Sequence, residues 1–309
     1  MIKVCLITNK KEHHEELFPQ IVEELKNLGG NYSFRLIPGE NPSLQDWIWS
    51  LGPKTIVISI HLENRFHPFW AKEWHQLNID KIQEYETLER GGFRVPKWAL
   101  LTKEKQPDLS NFGKYVVVKP AKAGKGAMVR IIRKTRVKWE PVEIKFSRAI
   151  EETFIVQEYV HTGRWPVSYR VGTIFGEPVY KMRITADKSR RPLDYDGVGT
   201  PEIFSGKTIV ASSKGCVVDA NVPQPVIELA KKVHAAFPDV PLLGTDILQD
   251  EAAGDLHILE VNATGFTFHL TSDLGKRMKE EFNMNFSSHF GGARAVARGL
   301  HQKLQEHSK

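Results

Sequence analysis

Cysteine is nearly absent: the 309 residues hold only Cys5 and Cys216, far apart and without metal-ligand or redox spacing. They read as reduced residues, which sets the expectation of a cytoplasmic protein. No run of 18 apolar residues occurs, so no membrane span is expected. The opening run Ile2 to Thr8 reads as a buried strand; it lacks the longer apolar stretch and small-residue cleavage site of a secretory leader. The twelve histidines show no H-E-x-x-H spacing, and no Ser-His-Asp or Cys-His nucleophile motif stands out. The G-x-x-x-x-G-K-[ST] phosphate loop is missing too: Gly206-Lys207-Thr208 comes near it, but Pro201 stands where the first glycine is required. There is no internal repeat and no low-complexity tract. The net charge is +6 and the pI near 9.1, but the basic residues are spread along the chain, so nucleic acid is not the expected partner.

What is present is ordinary globular composition, 41% hydrophobic and 26% charged, in a chain long enough for two or three cored domains. The richest stretch is Gly244-Thr245-Asp246-Ile247-Leu248 followed by Ile258-Leu259-Glu260-Val261-Asn262. A polar turn, Asp250 to Asp255, separates the two apolar runs, which makes them a β-hairpin. Pairing across the turn sets Asp246 opposite Glu260, and strand alternation places Asn262 on the face of Glu260. Three oxygen ligands then converge within about one cross-strand spacing, ~5 Å. Facing carboxylates repel unless a cation lies between them, and hard oxygen ligands suit Mg²⁺ carried by a nucleotide phosphate. The plainer alternative is a surface hairpin with solvated acids.

Along the chain, residues 1 to about 78 alternate strand and helix. Leu17, Ile21, Val22 and Leu25 recur at helical spacing before Gly29-Gly30. Thr55 to Ile60 reads as a strand buried in a parallel sheet, and the aromatic loop His61 to Trp70 beyond it is either a substrate wall or packing against a neighbouring domain. Asp80-Lys81 starts a helix that Gly91-Gly92 stops. Strands are expected at Trp98 to Thr102, Tyr115 to Lys119, Met128 to Ile132, Phe154 to Val160, Tyr169 to Ile174 and Val179 to Arg183. Helices are expected over roughly Pro225 to Phe237 and around Val296, Leu300 and Leu304. Lys119 ends a buried strand and needs an anionic partner, because an unpaired buried ammonium is costly. The following Gly124-Lys125-Gly126 is flexible enough to close over phosphate oxygens, though a plain hairpin turn would read the same way. Gln157-Glu158 closes another apolar strand, where a strand end can meet an adenine edge.

In that order, a lysine at a helix start, a Lys-Pro strand end, a glycine-rich hairpin, a Gln-Glu strand end and an Asp…Glu-x-Asn hairpin resemble the ATP-grasp superfamily. The type is the carboxylate–amine/thiol ligase, to which glutathione synthetase, D-alanine–D-alanine ligase and the ribosomal-protein glutamate ligases belong. The resemblance covers roughly residues 79 to 265. It implies an α/β (α+β) ATP-grasp fold with an N-terminal pre-ATP-grasp (Rossmann-like) domain over 1–78. A lid and central subdomain would cover 79–163, and a C-terminal subdomain bearing the metal hairpin 164–309. It further implies that Lys81 and Lys119 hold ATP phosphates under the loop Gly124, Lys125 and Gly126. Gln157, Glu158 and Val160 would form the adenine hinge, and Asp246, Glu260 and Asn262 would bind two Mg²⁺ ions, with Mn²⁺ an alternative. Arg183 is matched to the arginine that stabilises the transferred phosphoryl group, with Arg170 assisting in the same cleft. Two departures stand out. No acid follows the hinge in Trp165 to Arg170 to bind ribose, and Ala263-Thr264-Gly265 keeps the usual glycine after the metal asparagine but loses the proline.

The activity implied is ATP-dependent amide or peptide bond formation through an acyl phosphate, on a small-molecule, amino-acid or peptide substrate. The cationic balance suits ATP and an anionic substrate. Lys188, Arg190 and Arg191 lie in one of the loops expected to choose that substrate, and His269 follows the metal strand closely enough to reach it. The rival expectations are a small-molecule kinase on the same fold and a non-catalytic nucleotide-binding regulator. Homo-oligomerisation is left open.

Overall fold

The first 80 residues fold around a parallel sheet of β1 (Ile2–Thr8), β2 (Tyr32–Pro38), β3 (Thr55–Ser59) and β4 (Lys72–His75), in the order β2-β1-β3-β4. These elements belong to a computed structural model that describes residues 1–122, 129–143, 150–187, 203–205 and 216–308. All five residues of β3 are buried, as a β-branched run in a sheet covered on both faces requires. Helix α1 (His14–Asn27) lays Leu17, Phe18, Ile21 and Leu25 on this sheet, and α2 (Leu44–Ser50) begins in a capping box of Ser43 and Asp46. Of the aromatic loop, Phe66 turns inward against Trp47, Cys5, Ile7 and Val57, so it fills the core of its own sheet.

Helix α3 (Lys81–Arg90) opens with Asp80, whose carboxylate accepts the Ile82 and Gln83 N–H groups while Gln83 answers the cap backbone. An antiparallel sheet follows, made of β5 (Trp98–Leu101), β6 (Tyr115–Pro120), β7 (Arg130–Arg133) and, after the small pair β8 (Val142–Glu143) and β9 (Ile150–Glu151), β10 (Phe154–Glu158). The third sheet holds β11 (Val167–Ile174) and β12 (Glu177–Ala186). β13 (Ile203–Ser205) returns to the edge of the second sheet beside β7, while β14 (Cys216–Asp219) joins the third. Helix α4 (Gln224–Val233) then leads to the hairpin β15 (Leu242–Gln249) and β16 (Leu256–Asn262). The resulting order is β14-β12-β11-β15-β16, antiparallel throughout, with β16 at an edge.

One face of this third sheet packs on α4 through Val171, Ile247, Val226, Ile227 and Ala230. The other face shares a buried cluster with the first sheet, in which Tyr180, Met182 and Ile184 meet Leu6, Ile58 and Phe268. After α5 (Asp273–Phe282) and α6 (Ser287–Phe290), helix α7 (Ala293–Ser308) buries Val296, Leu300 and Leu304 in the same cluster. The join is tight at Gly299, where a Cβ would stand 2.3 Å from the Ile174 carbonyl oxygen. It is tight again at Gly265, with φ +87°, where a Cβ would stand 2.3 Å from the carbonyl oxygen of Ile60. The loop after β16 thus touches the end of β3. Among the described residues, no helix is long and apolar enough to cross a membrane.

Candidate active site

The hairpin register is the one the alternation requires: Asp246 pairs with Glu260, and Gly244 with Asn262. Arg170 on β11 pairs with Asp246 from the other side, so Arg170, Asp246 and Glu260 stand in a row across one face. Asp246 is only 7% exposed, which disposes of solvated surface acids. Its carboxylate accepts two hydrogen bonds from Arg170, Nε to Oδ1 at 2.5 Å and Nη2 to Oδ2 at 2.6 Å. Asn262 Nδ2 lies 3.4 Å from Asp246 Oδ2. Glu260 Oε2 accepts from Lys81 Nζ at 3.0 Å.

Lys81 is the first residue of α3, and its backbone N–H donates to Ala121, two residues past Lys119. That bond draws the start of α3 to the end of β6. Lys119 is 4% exposed, and its ammonium donates to the Tyr85 hydroxyl at 2.6 Å. Tyr85 in turn donates to the Leu259 carbonyl at 2.7 Å, and Glu84 Oε1 accepts the Val261 N–H at 2.7 Å. Sequence reasoning missed Glu84 and Tyr85. The signal available was their spacing of three and four residues from Lys81, which puts all three on one helix face.

Electrostatics follow from this crowding. Burial alone would raise the Glu260 carboxyl, but Lys81, Lys119 and Arg170 together hold it down at about 2. Burial, then the neighbouring Lys81, push the Lys119 ammonium down to about 8 against the pull of Glu260 and Glu84. Burial raises Glu84 to about 8. Burial also raises Asp246, while the guanidinium bound at both its oxygens opposes this; Arg170 itself is held firmly cationic by that pair. Three cations and three acids thus interleave, each needing the others in a medium where an unpaired charge is costly.

Of the expected hinge, Gln157 is buried on β10 with its amide near the Tyr85 hydroxyl and no hydrogen bond of good geometry among the described residues. The Glu158 N–H donates to Lys97, and Val160 is buried. Gly124, Lys125 and Gly126 lie outside the described residues, as do Lys188, Arg190 and Arg191.

Arg183 is not brought to this face. The register slips by one between Gly172 and Thr173, so Arg183 pairs with Tyr169 while Arg170 pairs with Met182. A one-residue bulge inverts which residues share a face, and Arg183 is sent to the side opposite Asp246. There its Nε contacts Thr185 Oγ1 at 3.3 Å and Asp219 Oδ2 at 3.7 Å. The arginine at the acidic row is therefore Arg170.

Asp246, Glu260 and the Asn262 amide are hard oxygen donors, and they fit Mg²⁺ in kind. Among the described residues no three His, Cys, Asp or Glu side chains gather as a ligand set, so phosphate and water oxygens would have to complete such an ion's shell. The family model for the ATP-grasp domain matches residues 79–265, more than half of the sequence and the span that carries every one of these side chains. The chain belongs to the ATP-grasp family. A comparison with curated proteins gave no match. Among solved structures, this ATP-grasp chain is similar to the ATP-grasp ligase PsnB complexed with minimal precursor, Mg and ADP, at 12% identity over 98% of each chain and a TM-score of 0.53. It is also similar to D-cycloserine synthetase DcsG, at 12% identity over 98% of this chain and 99% of the other, TM-score 0.49. D-alanine–D-alanine ligase from Bacillus anthracis matches at 13% identity over 100% of both chains, TM-score 0.48. At such identities the likeness is one of fold.

Proposed function

We propose that the protein is an ATP-dependent carboxylate–amine ligase that forms an amide or peptide bond through an acyl phosphate, using Mg²⁺. The observation that carries this reading is the row Arg170, Asp246 and Glu260, closed by Lys81: two acids and three cations, Lys119 included, gathered at the junction of two sheets. Family membership and the solved PsnB ligase, described with Mg and ADP, support it. In this reading three subdomains, 1–78, 79–163 and 164–309, meet around the site.

The ion pairs Lys81–Glu260 and Arg170–Asp246 can each exchange partners. Lys81 turns from Glu260 to phosphate oxygens, Lys119 offers them the donors that Tyr85 does not use, and the carboxylates that Lys81 and Arg170 leave are free to take metal. Held by Asp246, Glu260 and the Asn262 amide, Mg²⁺ would supply neutralisation of the triphosphate and of the charge that moves onto the leaving phosphate. Arg170, whose guanidinium stays charged, would stabilise the phosphoryl group as the substrate carboxylate attacks it. An amine then displaces phosphate from the acyl phosphate. Gln157, whose buried amide makes no hydrogen bond of good geometry, is suited to an adenine edge. The substrate is a small molecule, amino acid or peptide carrying the carboxylate.

The test is ADP release measured with candidate carboxylates, with and without an amine. Ligase chemistry requires amine-dependent product, and Glu260→Gln should lower the rate at least a hundredfold. A stable phosphoester on a hydroxyl substrate would overturn the ligase reading, and undiminished turnover in Glu260→Gln would overturn the site.

A further inference from the structure

Strand β16 carries Glu260 and Asn262 at the edge of its sheet, so its outward backbone groups need partners from elsewhere. The segment from 77 to 94 supplies them. Leu77 N–H donates to Ala263, and Ile258 N–H to Arg94, each at 2.9 Å. Between those two bonds the edge is closed by side chains of α3. Leu259 is skipped by the register, which passes from the pair Ile247–Ile258 to Asp246–Glu260, and its carbonyl is taken by the Tyr85 hydroxyl at 2.7 Å. Glu84 takes the Val261 N–H.

Tyr85 does more than close an edge. Its hydroxyl also accepts from Lys119 at 2.6 Å, and the Lys119 ammonium lies 4.9 Å from the centroid of its ring. A hydroxyl can accept from one partner while donating to another, and an ammonium has three donors. One Lys119 proton is therefore spent on Tyr85, and two remain for an anion. Lys119 stands on β6 and Leu259 on β16, in different sheets, and Tyr85 is the atom-to-atom link between them.

We infer that Tyr85 is a positioning residue: it holds the Lys119 ammonium in register with the strand that carries Glu260, so that one geometry serves phosphate and metal together. This rests on the reading of Lys119 as a phosphate ligand. It assigns Tyr85 a role exerted through that lysine.

Titration calorimetry with Mg·ATP and with adenosine tests it. Tyr85→Phe keeps the ring and removes the hydroxyl. It should weaken ATP about tenfold, the scale of one hydrogen bond to a charged group, and leave adenosine binding unchanged. Lys119→Met should show the same selectivity, and Tyr85→Phe added to it should cause no further loss. Equal weakening of ATP and adenosine by Tyr85→Phe, or two losses that multiply in the double variant, would show a merely structural role and overturn the inference. Unchanged ATP affinity in Lys119→Met would instead overturn the phosphate reading itself. Should Lys119→Met not fold, the ATP-against-adenosine comparison in Tyr85→Phe decides alone.

Discussion

Replacing Arg170 by methionine isolates the buried pair at the centre of the site. The side chains of Arg170 and Asp246 are only 15% and 10% exposed, and they share two short hydrogen bonds. Removing one partner of such a pair leaves an uncompensated buried charge, at a cost of about 3–5 kcal/mol. With the entropy of unfolding typical of a chain of this size, that lowers the melting midpoint by roughly 5–8 °C. Removing both, in Arg170→Met/Asp246→Leu, takes the stranded carboxylate away. The double variant should recover most of the lost midpoint while remaining inactive. Mg²⁺ adds a second handle. In Arg170→Met the carboxylate is free for a cation, so millimolar MgCl₂ should raise the midpoint of this variant more than that of the parent. Scanning calorimetry on the parent, Arg170→Met, Asp246→Leu and the double variant, with and without MgCl₂, reads all of this. An Arg170→Met midpoint within 1 °C of the parent, or a double variant less stable than either single one, would refute the reasoning.

Gly265→Ala should unfold or lose activity, since it adds left-handed strain of about 1–2 kcal/mol to a 2.3 Å approach on Ile60; a soluble variant with parental midpoint and ADP release would contradict that. Acid should destabilise the protein through three buried histidines. Burial depresses His14 and His269 to about 3 and His234 to about 4, so the fold keeps them neutral. The unfolded chain takes up these protons below its pKa of about 6.5, and stability then falls as pH drops from there towards 4, by about 1.4 kcal/mol per pH unit for each histidine. Denaturant titrations between pH 7 and 4.5 check this, and a flat profile would count against it.

Much of the geometry of the candidate site was legible because it sits on alternating strands. The Asp246–Glu260 pairing follows from two apolar runs and a turn, and the start of α3 at Lys81 follows from its Asp80 cap. What could not be read has two physical causes. Arg183 could not be given its face from the pattern because a bulge at Gly172 and Thr173 inverts the parity of the β11–β12 pairing, and its one local sign is the glycine inside the strand. Glu84 and Tyr85 share a helix face with Lys81, but what they do there was hidden: each bonds a backbone group, 177 and 174 residues away, and a backbone group leaves no mark in a side-chain pattern. The aromatic loop divided: Phe66 packs inside, while His61 lies beside Asn9 and meets Phe266 edge-on at 5.4 Å.

The closing of the β16 edge by α3 also sets an order of events during folding. A nascent chain that has emerged only to residue 250 already holds Lys81, Lys119 and Arg170, and has none of the strand that brings Glu260 and Asn262. Contacts spanning 174 to 179 residues form late, because the loop they close is long. Nucleotide affinity should therefore arise abruptly, near the end of folding. A refolding experiment that follows ATP binding would be timing the docking of that one strand.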